Sequence, residues 1–240
     1  FPYGAASSSN WPYLARFLNA AYRAVKEVSP ATQVILHLDD AGNLSKYTKF
    51  FDNCNAYGVN YDIIGPSYYP FWTNLTVAQI VEFCNTLVDR YDKDIMIMET
   101  GYNFSDRLPN GSLGQLNNNG PYDNIYPSSP ENQRNFMLEV FNGLKSIKDG
   151  RCIGDLYWDP IMVEQPGVGW AYIEETDAAD VNVVSNTTVF GFDHKALPVL
   201  DVYEYNNEGT NKAYLYGKIT GANSSPINKA YIQIGTKIMK

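Results

Sequence analysis

The chain has 240 residues, 45% of them hydrophobic and 14% aromatic, with 19 tyrosines and a formal net charge of −8. That composition supports a real core in one large domain or somewhat more. The acidic balance argues against nucleic acid or an anionic membrane surface as a partner, and no stretch is long and apolar enough to be a transmembrane segment.

The first helix is expected over Trp11 to about Val28, capped by Ser9 or Asn10, with Leu14, Phe17, Leu18, Ala21 and Val25 at helical spacing. Ser29-Pro30 ends it. Val34 to Asp39 reads as a strand with a polar exit, and Lys46 to Tyr57 as a helix stopped by Gly58. Tyr61 to Tyr69 is the next strand, and Thr76 to Tyr91 the next helix, with Ile80, Phe83, Leu87 and Val88 inward. The apolar run Asp94 to Met98 then closes on Glu99-Thr100-Gly101-Tyr102. Buried parallel strands read as such runs. In alternating barrels the C-terminal strand ends build the active site, so a carboxylate there beside aromatics points toward sugar chemistry, against the plainer reading of a salt-bridged or capping Glu.

A loop rich in Asn, Gly, Pro and Ser runs from Asn103 to about Pro130, long enough to suggest function or disorder. A helix follows from Ser129-Pro130-Glu131 to about Lys148, with Phe136, Leu138, Val140, Phe141 and Leu144 inward, and then a fourth strand over Cys152 to Pro160, again ending in an aromatic and a carboxylate. Four helix–strand units in a row imply an α/β fold, half of an eight-stranded barrel. The texture changes near Asn206. Residues 206–212 read as a linker, and 213–240 as the first, truncated strands of a β-sandwich accessory module. The expected organisation is a barrel half over 1–205, then the linker, then the module. The opening Phe1-Pro2-Tyr3-Gly4 and the closing Ile238-Met239-Lys240 suggest a piece of a longer protein.

Cys54, Cys84 and Cys152 form neither a disulfide framework nor a metal spacing. Asn-x-Ser/Thr sites stand at Asn43, Asn74, Asn103, Asn110, Asn186 and Asn223, and matter only in a eukaryotic secretory pathway.

Four segments carry a resemblance. They are Ile35-Leu36-His37-Leu38-Asp39, Asp62-Ile63-Ile64-Gly65-Pro66-Ser67-Tyr68-Tyr69-Pro70-Phe71-Trp72, Met98-Glu99-Thr100-Gly101-Tyr102 and Leu156-Tyr157-Trp158-Asp159-Pro160. In order and spacing they resemble glycoside hydrolase family 53, the endo-β-1,4-galactanases, over residues 1 to about 200. The resemblance implies the C-terminal half of a (β/α)8 barrel with Glu99 as the nucleophile of a retaining glycosidase. It places the acid/base on an Asn-Glu pair upstream of Phe1, so residues 1–240 alone are expected to be inactive and poorly stable. Tyr69 and Tyr102 resemble positions around the reacting sugar, and Trp158 an aromatic floor beneath it. Trp72 and Trp170 are candidates for stacking on neighbouring sugars, and His37, Asp39, Ser67 and Asp159 for lining the cleft. The family usually has Glu where this chain has Asp159. Tyr68 or Tyr69 must instead face the core, Trp72 could only brace a helix start, and His37 could be a buried core residue.

The resemblance implies β-1,4-galactan as substrate, no required cofactor, no partner protein, and a secreted, periplasmic or cell-surface location. Some relatives hold calcium in the loops after the last two strands. Asp106, Asp123, Glu164, Glu174, Glu175, Asp177 and Asp180 could supply oxygens there, or be simply solvated. Two other functions stay open: a sister β-1,4-mannanase or glucanase, and a non-catalytic carbohydrate-binding barrel.

Overall fold

A computed structural model describes residues 10–165 and 182–205. Along the chain run α1 (Trp11–Val28), β1 (Ile35–Leu38), α2 (Leu44–Ala56), β2 (Ile63–Tyr68), α3 (Pro70–Thr73), α4 (Val77–Tyr91), β3 (Asp94–Thr100), α5 (Pro130–Lys145), β4 (Cys152–Tyr157) and α6 (Leu200–Tyr205). The four strands form one sheet in the order β1-β2-β3-β4, every pair parallel. Parallel neighbours need a crossover between them, and helices supply it at each step. The expected alternation is therefore present, as a fragment of an α/β barrel. Trp170, the linker at 206–212 and the β-sandwich start at 213–240 lie outside the described residues.

The described chain divides into two compact units. One comprises residues 10–102, 118–125 and 142–158, and the other 103–117, 126–141, 159–165 and 182–205. The first holds the sheet. β2 is buried along its whole length, which explains its lack of polar alternation. Tyr47, Phe51, Cys54, Ile80, Cys84 and Leu87 pack as the apolar faces of α2 and α4 and are fully or almost fully buried. Tyr47 also donates from its hydroxyl to the Leu38 carbonyl at 2.6 Å, tying α2 to the end of β1. Thr76 starts α4 with a capping box, its hydroxyl accepting from Gln79 N while Gln79 Oε1 accepts from Thr76 N.

α1 has the expected bounds, but its buried residues are Trp11 and Ala15, whereas Phe17 is 53% exposed. Trp11 stacks on Tyr57 at 6.1 Å between ring centroids and meets Phe50 edge-on at 5.2 Å. The stripe read from Leu14 onward missed the residue that anchors the helix.

The second unit buries polar side chains among its apolar ones. Asn103 Nδ2 donates to the Leu116 carbonyl at 3.0 Å and Asn186 Nδ2 to the same carbonyl at 2.6 Å, with both side chains fully buried. Gln133 Nε2 donates to Thr188 O at 2.9 Å. A loop interior has no strand ladder to satisfy its carbonyls, so side-chain amides do it instead. α6 lies in this unit, with Val199 and Val202 buried and Tyr203 edge-on to Phe141 at 5.3 Å.

Candidate active site

The C-terminal ends of the strands gather the candidate residues of the first unit. Register sets Ser67 of β2 beside Glu99 of β3. Glu99 sits near the end of its strand and keeps partial solvent contact, whereas the Ser67 hydroxyl is buried and needs a partner. Glu99 is 30% exposed at its side chain, and His37 of β1 34% exposed. His37 Nε2 stands 2.6 Å from Ser67 Oγ and 3.9 Å from Glu99 Oε1. A carboxylate, an imidazole and a hydroxyl from three adjacent strands thus meet around one ring nitrogen.

Glycine shapes the next turn of chain. Thr100 O accepts from Trp158 N at 2.8 Å, binding the exit of β3 to that of β4. Between them Gly101 passes so close that an added Cβ would lie 2.8 Å from Trp158 O, 3.4 Å from Tyr69 Cε1 and 3.7 Å from Tyr157 Cζ. Tyr157 locks the same corner: its hydroxyl donates to Tyr102 O at 3.1 Å and accepts from Tyr102 N at 3.3 Å. Glu99, Gly101 and Trp158 therefore share one tightly packed strand exit.

The remaining candidates fall in different settings. Tyr69 is buried, next to Gly101, and precedes α3 as its N-cap residue. Tyr68 is buried too, its hydroxyl donating to Leu75 O at 2.9 Å. Tyr102 is fully buried. Trp158 is 45% exposed and Trp72, on α3, 58% exposed with Phe71 edge-on at 4.4 Å. Asp39 is a largely exposed carboxylate 2.5 Å from Lys46 Nζ, and the hydrogen bond from that ammonium holds its carboxyl below the usual range. β1 ends at Leu38 and the chain turns through Asp40 in the left-handed region (φ 62°), which carries Asp39 onto a loop. Asp159 is half-buried, in the second unit.

Among the loop acids, Asp106 accepts from Asn103 Nδ2 at 3.0 Å, Asp123 from Asn119 N at 2.5 Å and Glu164 from Ser185 Oγ at 2.5 Å. Each is thus engaged locally, and among the described residues no group of three or more His, Cys, Asp or Glu is arranged to hold a metal ion. Glu174, Glu175, Asp177 and Asp180 lie outside the described residues. No described helix is long and apolar enough to cross a membrane.

The sequence had pointed separately to His37, Ser67 and Glu99, but not to their meeting. It missed the positioning part of Tyr157, whose only signal was its place beside Trp158 in the fourth motif.

The model of glycosyl hydrolase family 53 matches residues 3–203. The chain is 26% identical over 230 residues to an endo-β-1,4-galactanase of Bacillus subtilis, covering 86% of this chain and 53% of that protein. The solved GH53 catalytic domain of Ignisphaera aggregans superposes with a TM-score of 0.72 at 30% identity, over 82% of this chain and 52% of that one. A solved fungal β-1,4-galactanase gives 0.62 at 25% identity, over 81% and 55%. The chain spans about half the length of the curated relatives it matches.

Proposed function

The chain belongs to glycosyl hydrolase family 53, and on that footing we propose that it carries the nucleophile of an endo-acting retaining glycosidase that cleaves β-1,4-galactan. The observation that carries this reading is Glu99, half-buried at a parallel strand end beside His37 and Ser67. We read the four strands as the C-terminal half of a (β/α)8 barrel. The relatives are named as galactanases, and this supports the substrate class. A polysaccharide substrate is met outside the cytoplasm, so we place the protein's work there.

In double displacement, a Glu99 oxygen attacks the anomeric carbon of a galactosyl unit. The bond from that carbon to the leaving oxygen breaks, and a second carboxyl group protonates the leaving oxygen. The same second group then removes a proton from the water that hydrolyses the glycosyl ester. The two carboxyls of such enzymes stand roughly 5–5.5 Å apart. None of the four described strands ends in Asn-Glu. We assign the acid/base to the part of the family domain beyond this chain's span. Tyr69 and Trp158 border the Glu99 corner, so we assign them to the sugar's surroundings, with Trp158 as the stacking platform. Tyr102 acts through the backbone, held by Tyr157. Trp72 offers an exposed face for a more distant sugar, and we keep Asp159 and Trp170 as candidate substrate contacts.

The test separates the nucleophile from the proton donor. A dinitrophenyl 2-deoxy-2-fluoro-β-galactobioside has a leaving group that departs as an anion and needs no protonation. Incubated with the full chain, it should leave a fluoroglycosyl ester on the Glu99 peptide, read by mass spectrometry. Glu99→Gln should abolish the adduct, and the corresponding glucosyl and mannosyl reagents should label more slowly. An adduct that persists in Glu99→Gln would sink the assignment. Galactan itself should remain uncut by residues 1–240 until the second carboxyl is supplied.

A further inference from the structure

The arrangement around His37 bears on how Glu99 is held, an inference that rests on the proposed role of Glu99. One ring nitrogen, Nε2, faces both Ser67 Oγ at 2.6 Å and Glu99 Oε1 at 3.9 Å. An ionised carboxylate has acceptor oxygens only, while a neutral imidazole offers one donor and one acceptor nitrogen. A lone pair on Nε2 would point toward the carboxylate and be repelled. A proton on Nε2 suits both neighbours, because the serine hydroxyl can rotate to accept it. We propose that His37 is a positioning residue, fixed by Ser67 as the Nε2–H tautomer, which steers the Glu99 carboxylate for attack.

The supporting geometry has three parts. Ser67 is buried on a strand that is buried throughout, so its hydroxyl is a fixed anchor rather than a mobile one. Tyr47 ties the carbonyl of Leu38, the residue after His37, to α2 at 2.6 Å, which immobilises the end of β1. The separation of 3.9 Å between Nε2 and Oε1 is longer than a hydrogen bond, and contacts of this kind often tighten only when substrate arrives. When that contact closes, Oε1 is held by the donor and Oε2 is left as the oxygen aimed at the sugar. Once Glu99 is esterified its charge is gone, and Ser67 keeps the ring in place for the second displacement.

The chain has only two histidines, so ¹⁵N-histidine labelling gives a readable spectrum. His194→Asn removes the second ring, and asparagine tolerates the left-handed backbone at that position (φ 60°). In the full chain His37 should appear as a single Nε2–H tautomer, and Ser67→Ala should turn it into a mixture. A wild-type Nδ1–H tautomer or an averaged spectrum would overturn the proposal. The reactivity arm uses the same fluorinated galactobioside. His37→Leu should slow covalent labelling about tenfold or more at saturating reagent, with little change in the concentration giving half-maximal rate. His37→Gln, whose amide nitrogen can stand in for Nε2–H, should recover most of the rate. Labelling of His37→Leu at the wild-type rate would refute the positioning role. If wild type takes no label, the nucleophile reading fails by itself and the tautomer decides the placement of His37.

Discussion

Gly101→Ala concentrates the structural argument into one methyl group. The added Cβ would lie 2.8 Å from the Trp158 carbonyl oxygen, about half an ångström inside the closest ordinary carbon–oxygen approach of ~3.3 Å. That oxygen is backbone, and Trp158 N is bound to Thr100 O at 2.8 Å, so it cannot swing aside as a side chain would. The methyl group must therefore part the exits of β3 and β4, pressing Tyr69 as it does so. Overpacking of this kind costs about 1–3 kcal/mol. With a urea dependence of about 2 kcal/mol per molar, the unfolding midpoint should fall by about 1 M. The same shift displaces Glu99, two residues upstream, and Trp158 together, so labelling by the fluorinated galactobioside should slow by more than the stability loss implies. A variant that unfolds within about 0.3 M of wild type and labels at its rate would show that the two strand exits are not rigidly joined through Gly101.

Three other outcomes follow from separate parts of the fold. Burial alone would raise the Asp62 carboxyl, but donors outweigh it: Lys26 Nζ at 2.9 Å, Val34 N at 2.8 Å and Tyr22 Oη at 3.1 Å hold its pKa below the usual range. Its stabilisation is therefore present above the unfolded value of about 3.9 and is lost as pH falls through the lower folded value. Asp62→Asn should cost about 1–2 kcal/mol at pH 7, with the gap to wild type closing below about pH 4, and a gap constant with pH would contradict the assignment. Thr76→Ala, which removes one arm of the α4 capping box, should cost about 1 kcal/mol in chemical denaturation; no measurable change would mean Gln79 carries the cap alone. Trp158→Ala in a Glu99→Gln background should weaken galacto-oligosaccharide binding by about tenfold in titration calorimetry, and an unchanged affinity would remove Trp158 as a platform.

Elements with strong local signals were legible from residues alone. The apolar run that closes on Glu99 became β3, and the helix read from Thr76 became α4. α3 was not legible, because four residues following a strand carry no helical period. Nor was α6, whose six residues lie beyond a loop-rich stretch. Phe17 looked like core because helical spacing records which residues share a face, not whether anything covers that face. The candidate site divides the same way. Glu99 announces itself by ending an apolar strand. The approach of His37 to Ser67 depends on register between strands whose residues are thirty apart, and no local pattern encodes that. Asp39 looked like a strand-end carboxylate until the turn at Asp40 placed it beside Lys46.

The amides that share the Leu116 carbonyl have a bearing on how this protein is produced. Asn103 and Asn186 each begin an Asn-x-Ser/Thr acceptor sequence, yet both are sealed inside the second unit, whereas Asn43, Asn74 and Asn110 are exposed. In a yeast or other glycosylating host, oligosaccharide transfer to either buried amide has to outrun folding. A chain so tagged carries a bulky hydrophilic branch on one of the two amides that meet at the Leu116 carbonyl, where an interior must close. Secretion from such a host should sort the product into a folded fraction bare at both sites and a retained fraction that bears them. A glycopeptide map of the two fractions reads that partition directly, and Asn103→Gln would not cure it, because the longer arm cannot keep the bond geometry that the shorter one makes.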